Sequence, residues 1–119
     1  MDAAIARAKA EVGDFIAVLQ KGEADSFSVK VPISQDGKTE HFWITDVVFK
    51  DGVLLGKIGN DPGVVTNVKL GQEWSVKPTE ISDWMYVRGD KIHGGYTIDP
   101  LLGSFPKDQA DAMRQRLVR

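Results

Sequence analysis

Two histidines and two aspartates have the greatest potential for chemistry in this chain. His41 and Asp46 lie in one apolar stretch, whereas Asp83 and His93 belong to two later ones. Imidazole and carboxylate side chains together bind Zn²⁺ or transfer protons as general acid and base. Neither an H-x-x-x-H nor an H-E-x-x-H spacing is present, so these residues would meet only if their strands pair. A small metal-assisted or hydrolase-like enzyme that uses the four residues is therefore our alternative hypothesis.

Other catalytic and ligand-binding motifs are missing from the sequence. The chain has no cysteine, which excludes thiol catalysis and thiolate metal sites. It also lacks the G-x-S-x-G sequence that presents a serine nucleophile. His93-Gly94-Gly95 is similar to an esterase oxyanion motif but lies in a predicted hairpin, and Gly59–Gly63 lacks the G-K-[ST] ending of a phosphate-binding loop. We therefore predict no catalytic residue, no metal ligand and no cofactor.

The segment Ser82–Tyr86 admits two arrangements. Strand alternation places Asp83 on one face, and Trp84 and Tyr86 together on the other face. If Asp83 faces the core, its carboxylate needs hydrogen-bond donors, which the amides of the neighbouring turn or His93 would supply. Trp84 and Tyr86 then form an exposed aromatic platform. If the opposite face is the core, Asp83 is solvated and the two aromatic rings pack inside.

Aromatic residues are more numerous on the predicted strands than one buried face requires. We therefore expect an aromatic-rimmed binding surface beside the loop that begins at Asn60. The candidate ligand- or partner-binding residues are His41, Trp43, Asn60, Asp83, Trp84, Tyr86, His93 and Tyr96.

Composition narrows the class of partner. The chain has 119 residues, and 15 basic against 17 acidic side chains give a net charge of −2. This charge excludes the basic footprint of a nucleic-acid binder.

Apolar runs of a few residues are far shorter than the roughly 20 needed to cross a membrane. Met1–Arg7 lacks a basic segment followed by an apolar run, so we expect a cytoplasmic protein.

The periodicity of apolar residues changes near residue 25 from helical to extended. Residues 2–20 carry one apolar stripe and predict a helix, which Gly13 weakens. Residues 39–49 are apolar on both alternating faces, which predicts a central strand covered on both sides. The predicted strands are residues 26–33, 39–49, 53–58, 73–77, 81–87 and 92–98, with turns at Asp36-Gly37 and Asp51-Gly52, and a short helix follows Ser104.

These elements predict a single α+β domain over residues 1–119. About six antiparallel strands form one strongly curved sheet or a half-open barrel, with the N-terminal helix packed on it and a short helix at the C-terminus. The sequence does not decide between the curved sheet and the barrel.

Five segments in order resemble one known family. They are Glu40-His41-Phe42-Trp43, Leu55 to Pro62, Val68 to Gly71, Ile81-Ser82-Asp83-Trp84-Met85-Tyr86 and Gly94 to Thr97. Together they resemble the YegJ-like family of small bacterial proteins, domain of unknown function 2314. The resemblance implies a bacterial domain spanning the whole chain. It supplies no activity and no catalytic residues, because none is assigned to the family.

Our principal hypothesis from the sequence is a non-enzymatic binding module. Its partner would be a protein or a small ligand that contacts the aromatic-rimmed surface. We expect neither nucleic acid nor a membrane as a partner.

Overall fold

A seven-stranded sheet forms the body of the protein in the computed structural model, which describes residues 2–118. The strands are β1 Ser26–Gln35, β2 Lys38–Lys50, β3 Val53–Ile58, β4 Glu73–Val76, β5 Asp83–Arg88, β6 Lys91–Gly94 and β7 Leu117–Val118. Their order is β4-β3-β2-β1-β5-β6-β7, and all pairs are antiparallel except β6 with β7. Because β4 and β7 lie at opposite ends, the sheet is not closed. The predicted α+β class is confirmed, and the sheet rather than the barrel is correct.

The first two hairpins have the turns that the sequence predicts. Asp36 and Gly37 have φ angles of 50° and 79°, and Asp51 and Gly52 have 53° and 81°. Positive φ at both turn residues gives the tight two-residue turn whose twist matches that of the flanking strands. Asparagine, aspartate and glycine tolerate this conformation best, so local sequence alone determines these two connections.

The N-terminal segment is two helices instead of the single predicted helix over residues 2–20. α1 covers Asp2–Ala10 and α2 covers Val12–Lys21, with Glu11 between them at φ −109° and ψ 9°. A Cβ at Gly13 would have no atom within 4 Å, so no neighbouring element requires that glycine. Ala8 and Phe15, one on each helix, are fully buried. The break therefore joins two short helices that both pack on the sheet.

The core lies between the two helices and one face of the sheet, the inner face. Cross-strand pairs on this face include Val29 with Ile44, Val31 with Phe42, and Val29 with Trp84. The β2 register shifts between Thr45 and Val48, so the inward positions change from even to odd numbers there. The prediction that β2 is covered on both sides is wrong. Both alternating sets of residues contain apolar side chains because the bulge moves the inward positions from one set to the other.

The loop over residues 59–72 covers the rest of the inner face, and the Glu40 carboxylate binds its backbone. Glu40 accepts hydrogen bonds from the backbone N–H groups of Gly63, Val64 and Val65 at 2.9, 2.7 and 3.2 Å. These bonds, that of Gly63 first, lower the pKa of Glu40 against the opposing effect of desolvation. Val65 and Val68 are thereby buried against the sheet.

The C-terminal segment buries further apolar residues outside the core cluster. A 3₁₀-helix over Asp99–Ser104 and α3 over Lys107–Arg116 contribute buried Leu102 and Ala110, and β6 contributes buried Ile92. The predicted C-terminal helix is therefore present, but it ends before β7. Two-residue β7 carries no alternation that a sequence pattern would reveal. None of the helices in residues 2–118 has the length and apolarity needed to cross a membrane.

We predict that Gly56→Ala destabilises the protein by about 1–3 kcal/mol through overpacking. A Cβ at Gly56 would lie 2.6 Å from the Thr45 carbonyl oxygen and 2.7 Å from Ile44 Cγ2. Gly13→Ala is the control and should stabilise by about 0.5–1 kcal/mol, since its site in α2 is open. Urea unfolding measures both. Equal stability of the two variants would contradict the close approach of β2 and β3.

Candidate functional site

A fully buried carboxylate lies at the beginning of β5. Asp83 Oδ1 accepts hydrogen bonds from the backbone N–H groups of Trp84 and Tyr96 at 2.8 and 3.1 Å. Its Oδ2 accepts from the Thr97 N–H at 2.9 Å and from the Thr97 hydroxyl at 2.6 Å. Asp83 is 0% exposed. The sequence offers two sources of donors for the Asp83 carboxylate, the amides of the neighbouring turn and His93. The amides of the turn are the ones that bind it.

Two glycines direct the chain onto Asp83. Gly94 and Gly95 have φ angles of 79° and 64°, and β6 ends at Gly94. The prediction that this strand continues to residue 98 is wrong, because positive φ turns the backbone away from β5. A Cβ at Gly94 would overlap the carbonyl oxygen and the ring of Trp84. The close passage over Trp84 brings residues 96 and 97 to the carboxylate.

Trp84 is buried together with its neighbour Asp83, contrary to either arrangement predicted for this strand. Trp84 is 4% exposed, its Nε1–H donates to the Ala8 carbonyl at 2.9 Å, and its ring lies 5.4 Å from that of Phe15. Tyr96, 8% exposed, meets Trp84 edge to face at 5.7 Å. The predicted exposed rim is therefore wrong for Trp84 and Tyr96. The helices cover one side of the strand, and the loop after β6 crosses the other.

Tyr86 and His93 form a half-buried stack on the inner face. The rings lie 4.6 Å apart with an angle of 4° between their planes. The Arg88 guanidinium lies 5.4 Å from the centre of the Tyr86 ring on the same strand. Burial, and then the charge of Arg88, lower the pKa of His93. The lowered pKa favours the neutral imidazole, which suits ring stacking.

Trp43 and His41 lie on the opposite, outer face, beside Lys30. Trp43 is the cross-strand partner of Lys30, whose Nζ is 5.8 Å from the Trp43 ring centre and donates to the Thr97 hydroxyl at 3.2 Å. Burial lowers the pKa of Lys30, against the opposing charge of Asp83. Asn60 accepts the backbone N–H of Trp43 at 3.0 Å, so its amide holds the loop to β2.

The structure does not gather the four residues of the enzyme hypothesis. His41 and His93 lie on opposite faces, and β1 and β5 separate their strands. Three strand spacings alone amount to about 14 Å, whereas Zn–N bonds are about 2 Å long. Asp83 is saturated by backbone and hydroxyl donors, and Asp46 lies at the bulge of β2. Across residues 2–118, no three His, Asp or Glu side chains form a metal-binding group.

The outer side of β1–β4, which we call the open face, is accessible to solvent. Thr45 pairs with Lys57 and Val48 pairs with Leu55, at exposures of 55% for Val48 and 37% for Leu55. The side chains of the open face are Lys30, Pro32, His41, Trp43, Thr45, Val48, Leu55, Lys57, Glu73 and Ser75. Of the candidates predicted from sequence, only His41 and Trp43 present their side chains here.

A cleft of ≈ 410 Å³ lies beside the bulge of β2, on the open face. Its lining residues are Asp46, Leu55, Gly56, Lys57, Glu73, Trp74 and Ser75. Asp46 has φ 53°, the left-handed conformation that a bulge residue adopts. Most of this lining is not predictable from strand alternation, because the bulge shifts the register of β2 against β3. Gly56 inside a strand pattern was the available signal, since such a glycine marks a bulge or a close backbone approach.

Sequence comparisons place the chain in a family. The family model described as "Uncharacterized protein conserved in bacteria (DUF2314)" matches residues 1–117, and the chain belongs to this family. It is 58% identical over 119 residues to "Uncharacterized protein YegJ" of Escherichia coli (strain K12), covering 100% of this chain and 78% of the relative. The resemblance noted from sequence is thereby confirmed.

A second relative is much longer than this chain. "Putative ankyrin repeat protein NMB1133/NMB1171" of Neisseria meningitidis serogroup B (strain ATCC BAA-335 / MC58) is 38% identical over 89 residues. The match covers 71% of this chain and 35% of that protein. No solved structure matches the chain significantly.

We predict that Asp83→Asn lowers the free energy of unfolding by about 3 kcal/mol. The asparagine amide would turn an N–H₂ group toward backbone or hydroxyl donors, leaving buried groups unpaired. Asp46→Asn is the matched control and should change stability by less than about 0.5 kcal/mol, because Asp46 is exposed and asparagine also tolerates positive φ. Chemical denaturation compares the two. Similar losses would contradict the anchoring role of Asp83.

We predict that Lys30→Met raises the pKa of His41. Burial is the larger cause of the lowered His41 pKa and the Lys30 charge is the second, so removing that charge favours the imidazolium. The measurement is an NMR titration of the His41 ring protons in both proteins. His93 is the internal control, because it lies on the other face and is influenced by Arg88. Equal shifts at both histidines would indicate a general structural change instead.

Proposed function

We propose that the protein is a non-enzymatic binding module whose open face binds a protein partner. The observation that carries this proposal is the exposed apolar pair Val48 and Leu55, which lies on the same face of the sheet as the half-buried Trp43. Exposed apolar side chains that cluster on one surface are typical of interaction sites. The other large face of the sheet is occupied by α1, α2 and the loop over residues 59–72.

The cleft beside the bulge supports the same surface. Its volume of ≈ 410 Å³ falls within the roughly 300–1,000 Å³ of ligand sites, so one or two partner side chains would fit. Its charged lining residues are Asp46, Lys57 and Glu73. Two carboxylates against one ammonium group disfavour a phosphate backbone and fit a protein surface of mixed charge.

The relative from Neisseria meningitidis supports a role as a module. Its matched stretch occupies 35% of that protein, and its printed name indicates ankyrin repeats. Ankyrin repeats stack into extended binding surfaces. A related sequence therefore occurs as part of a longer protein whose name indicates ankyrin repeats. The cytoplasmic compartment expected from the sequence stays a prediction.

The test is site-specific photo-crosslinking in Escherichia coli cells that lack the 58% identical relative and express this chain. A photoreactive amino acid replaces Val48 on the open face or, as the control, Val64 on the loop, at matched exposures of 55% and 51%. We expect one discrete crosslinked protein from position 48 and none from position 64.

A second substitution makes the result specific. Leu55→Asp places a charge in the apolar pair without touching the buried core, so it should abolish the crosslink from position 48. Circular dichroism verifies that this variant is folded. Equal crosslinking from positions 48 and 64, or none from either, would overturn the proposal. No second function is proposed, since the residues of the enzyme hypothesis are not brought together.

A further inference from the structure

We infer that the outer edge of β4 accepts an extended segment of the partner polypeptide as an additional strand of the sheet. This inference rests on the proposed function and names the binding mode and the chemistry of the partner. β4 is the terminal strand of the sheet formed by residues 2–118, next to the open face. Peptides commonly bind by adding a strand to such an edge, where main-chain hydrogen bonds supply the affinity.

The register shows which main-chain groups of β4 point away from the sheet. Ile58 N–H donates to the Gln72 carbonyl at 2.9 Å, which makes 58 and 72 a hydrogen-bonded pair. Antiparallel pairs alternate between bonded and non-bonded, so Trp74 and Val76 also exchange their bonds with β3. The N–H and C=O groups of Glu73 and Ser75 therefore point outward, where an added strand would pair.

β4 is the better of the two sheet edges for this role. The opposite terminal strand, β7, has two residues, whereas β4 has four, Glu73–Val76, without proline. Pro78 stands just beyond its end and Lys77 N–H already donates to Glu80 Oε1 at 2.8 Å. The available stretch thus ends at Val76. A short stretch of this kind limits aggregation and still allows two outward residues to pair with a peptide.

The side chains of β4 define the sequence that the added strand should carry. Trp74 is half-buried and Val76 is buried, both on the inner side, so residues opposite them should be apolar. Glu73 is exposed on the outer side, so a lysine or arginine opposite it would form a cross-strand charge pair. The favoured partner is an extended segment in which apolar and basic residues alternate.

The test uses the ¹⁵N-labelled full chain and a synthetic peptide, acetyl-Thr-Val-Lys-Val-Lys-Val-Thr-amide. We expect saturable changes in the NMR amide shifts of Glu73 and Ser75 as peptide is added. N-methylation of the two peptide lysines removes the N–H groups that would pair with the edge, and this control should produce no shift. Replacing both lysines with glutamate should weaken binding about two- to fivefold, the range of one cross-strand charge pair.

Two variants test the edge from the side of the protein. Ser75→Pro removes an outward N–H and leaves the β3–β4 bonds in place, because edge strands tolerate proline where the N–H faces solvent. It should abolish the shifts, whereas Ser75→Thr keeps the N–H and should retain them. If Ser75→Pro does not fold, the N-methylated peptide still decides the question.

The possible results separate this inference from the proposed function. Amide shift changes confined to Val48, Leu55 and their neighbours would overturn the inference that the peptide binds at the edge of β4, and would leave the open face as the binding surface. Concentration-dependent shifts and slower tumbling without peptide would show pairing between two copies of the chain, which overturns a peptide partner. The absence of any saturable shift change at millimolar peptide would also overturn the inference. The crosslink from position 48 tests the proposed function independently of this result.

Discussion

The charge of Asp83 must be compensated inside the protein, and the path of the chain around β5 and the loop after β6 supplies the compensating donors. An unpaired buried carboxylate is very costly, so its four donors are as necessary as the carboxylate itself. Those donors come from β5 and from the loop after β6, which therefore passes across the strand. Thr97 also accepts from Lys30, so the same network extends to the open face. One carboxylate thus links strands that are distant in sequence.

Local chemistry explains the parts of the fold that the sequence predicts well. The turns at Asp36-Gly37 and Asp51-Gly52 depend on two adjacent residues that tolerate positive φ, and both are correct. The α+β class follows from the change of period near residue 25 and is also correct. The break at Glu11 lies two residues before Gly13, the residue that weakens the predicted helix, but the continuous apolar stripe over residues 2–20 gives no sign of a break. β7 is too short for any periodicity.

The candidate site was harder to predict because it depends on register. Strand alternation assumes that successive residues face opposite environments, yet Asp83 and Trp84 are both buried by different covering elements. His41 and Trp43 were identified as candidates, but their separation from His93 depends on the strand order. Val48 and Leu55 were overlooked, because they meet only after the register shift in β2. Pairing between distant strands, rather than residue type, decides which candidates share a surface.

The bulge in β2 has a consequence for how this family can vary. The extra residue near Asp46 changes the phase of the strand, so Phe42 and Ile44 before it and Val47 after it all reach the core. Removing the extra residue would restore regular pairing with β3 and keep Val47 and Phe49 facing the core, whereas a one-residue insertion or deletion elsewhere in β2 would invert the strand beyond it. The length of β2 on either side of the bulge is therefore under stricter constraint than its length at the bulge. Related chains should tolerate the loss of one residue at the bulge more readily than an insertion or deletion elsewhere in this strand.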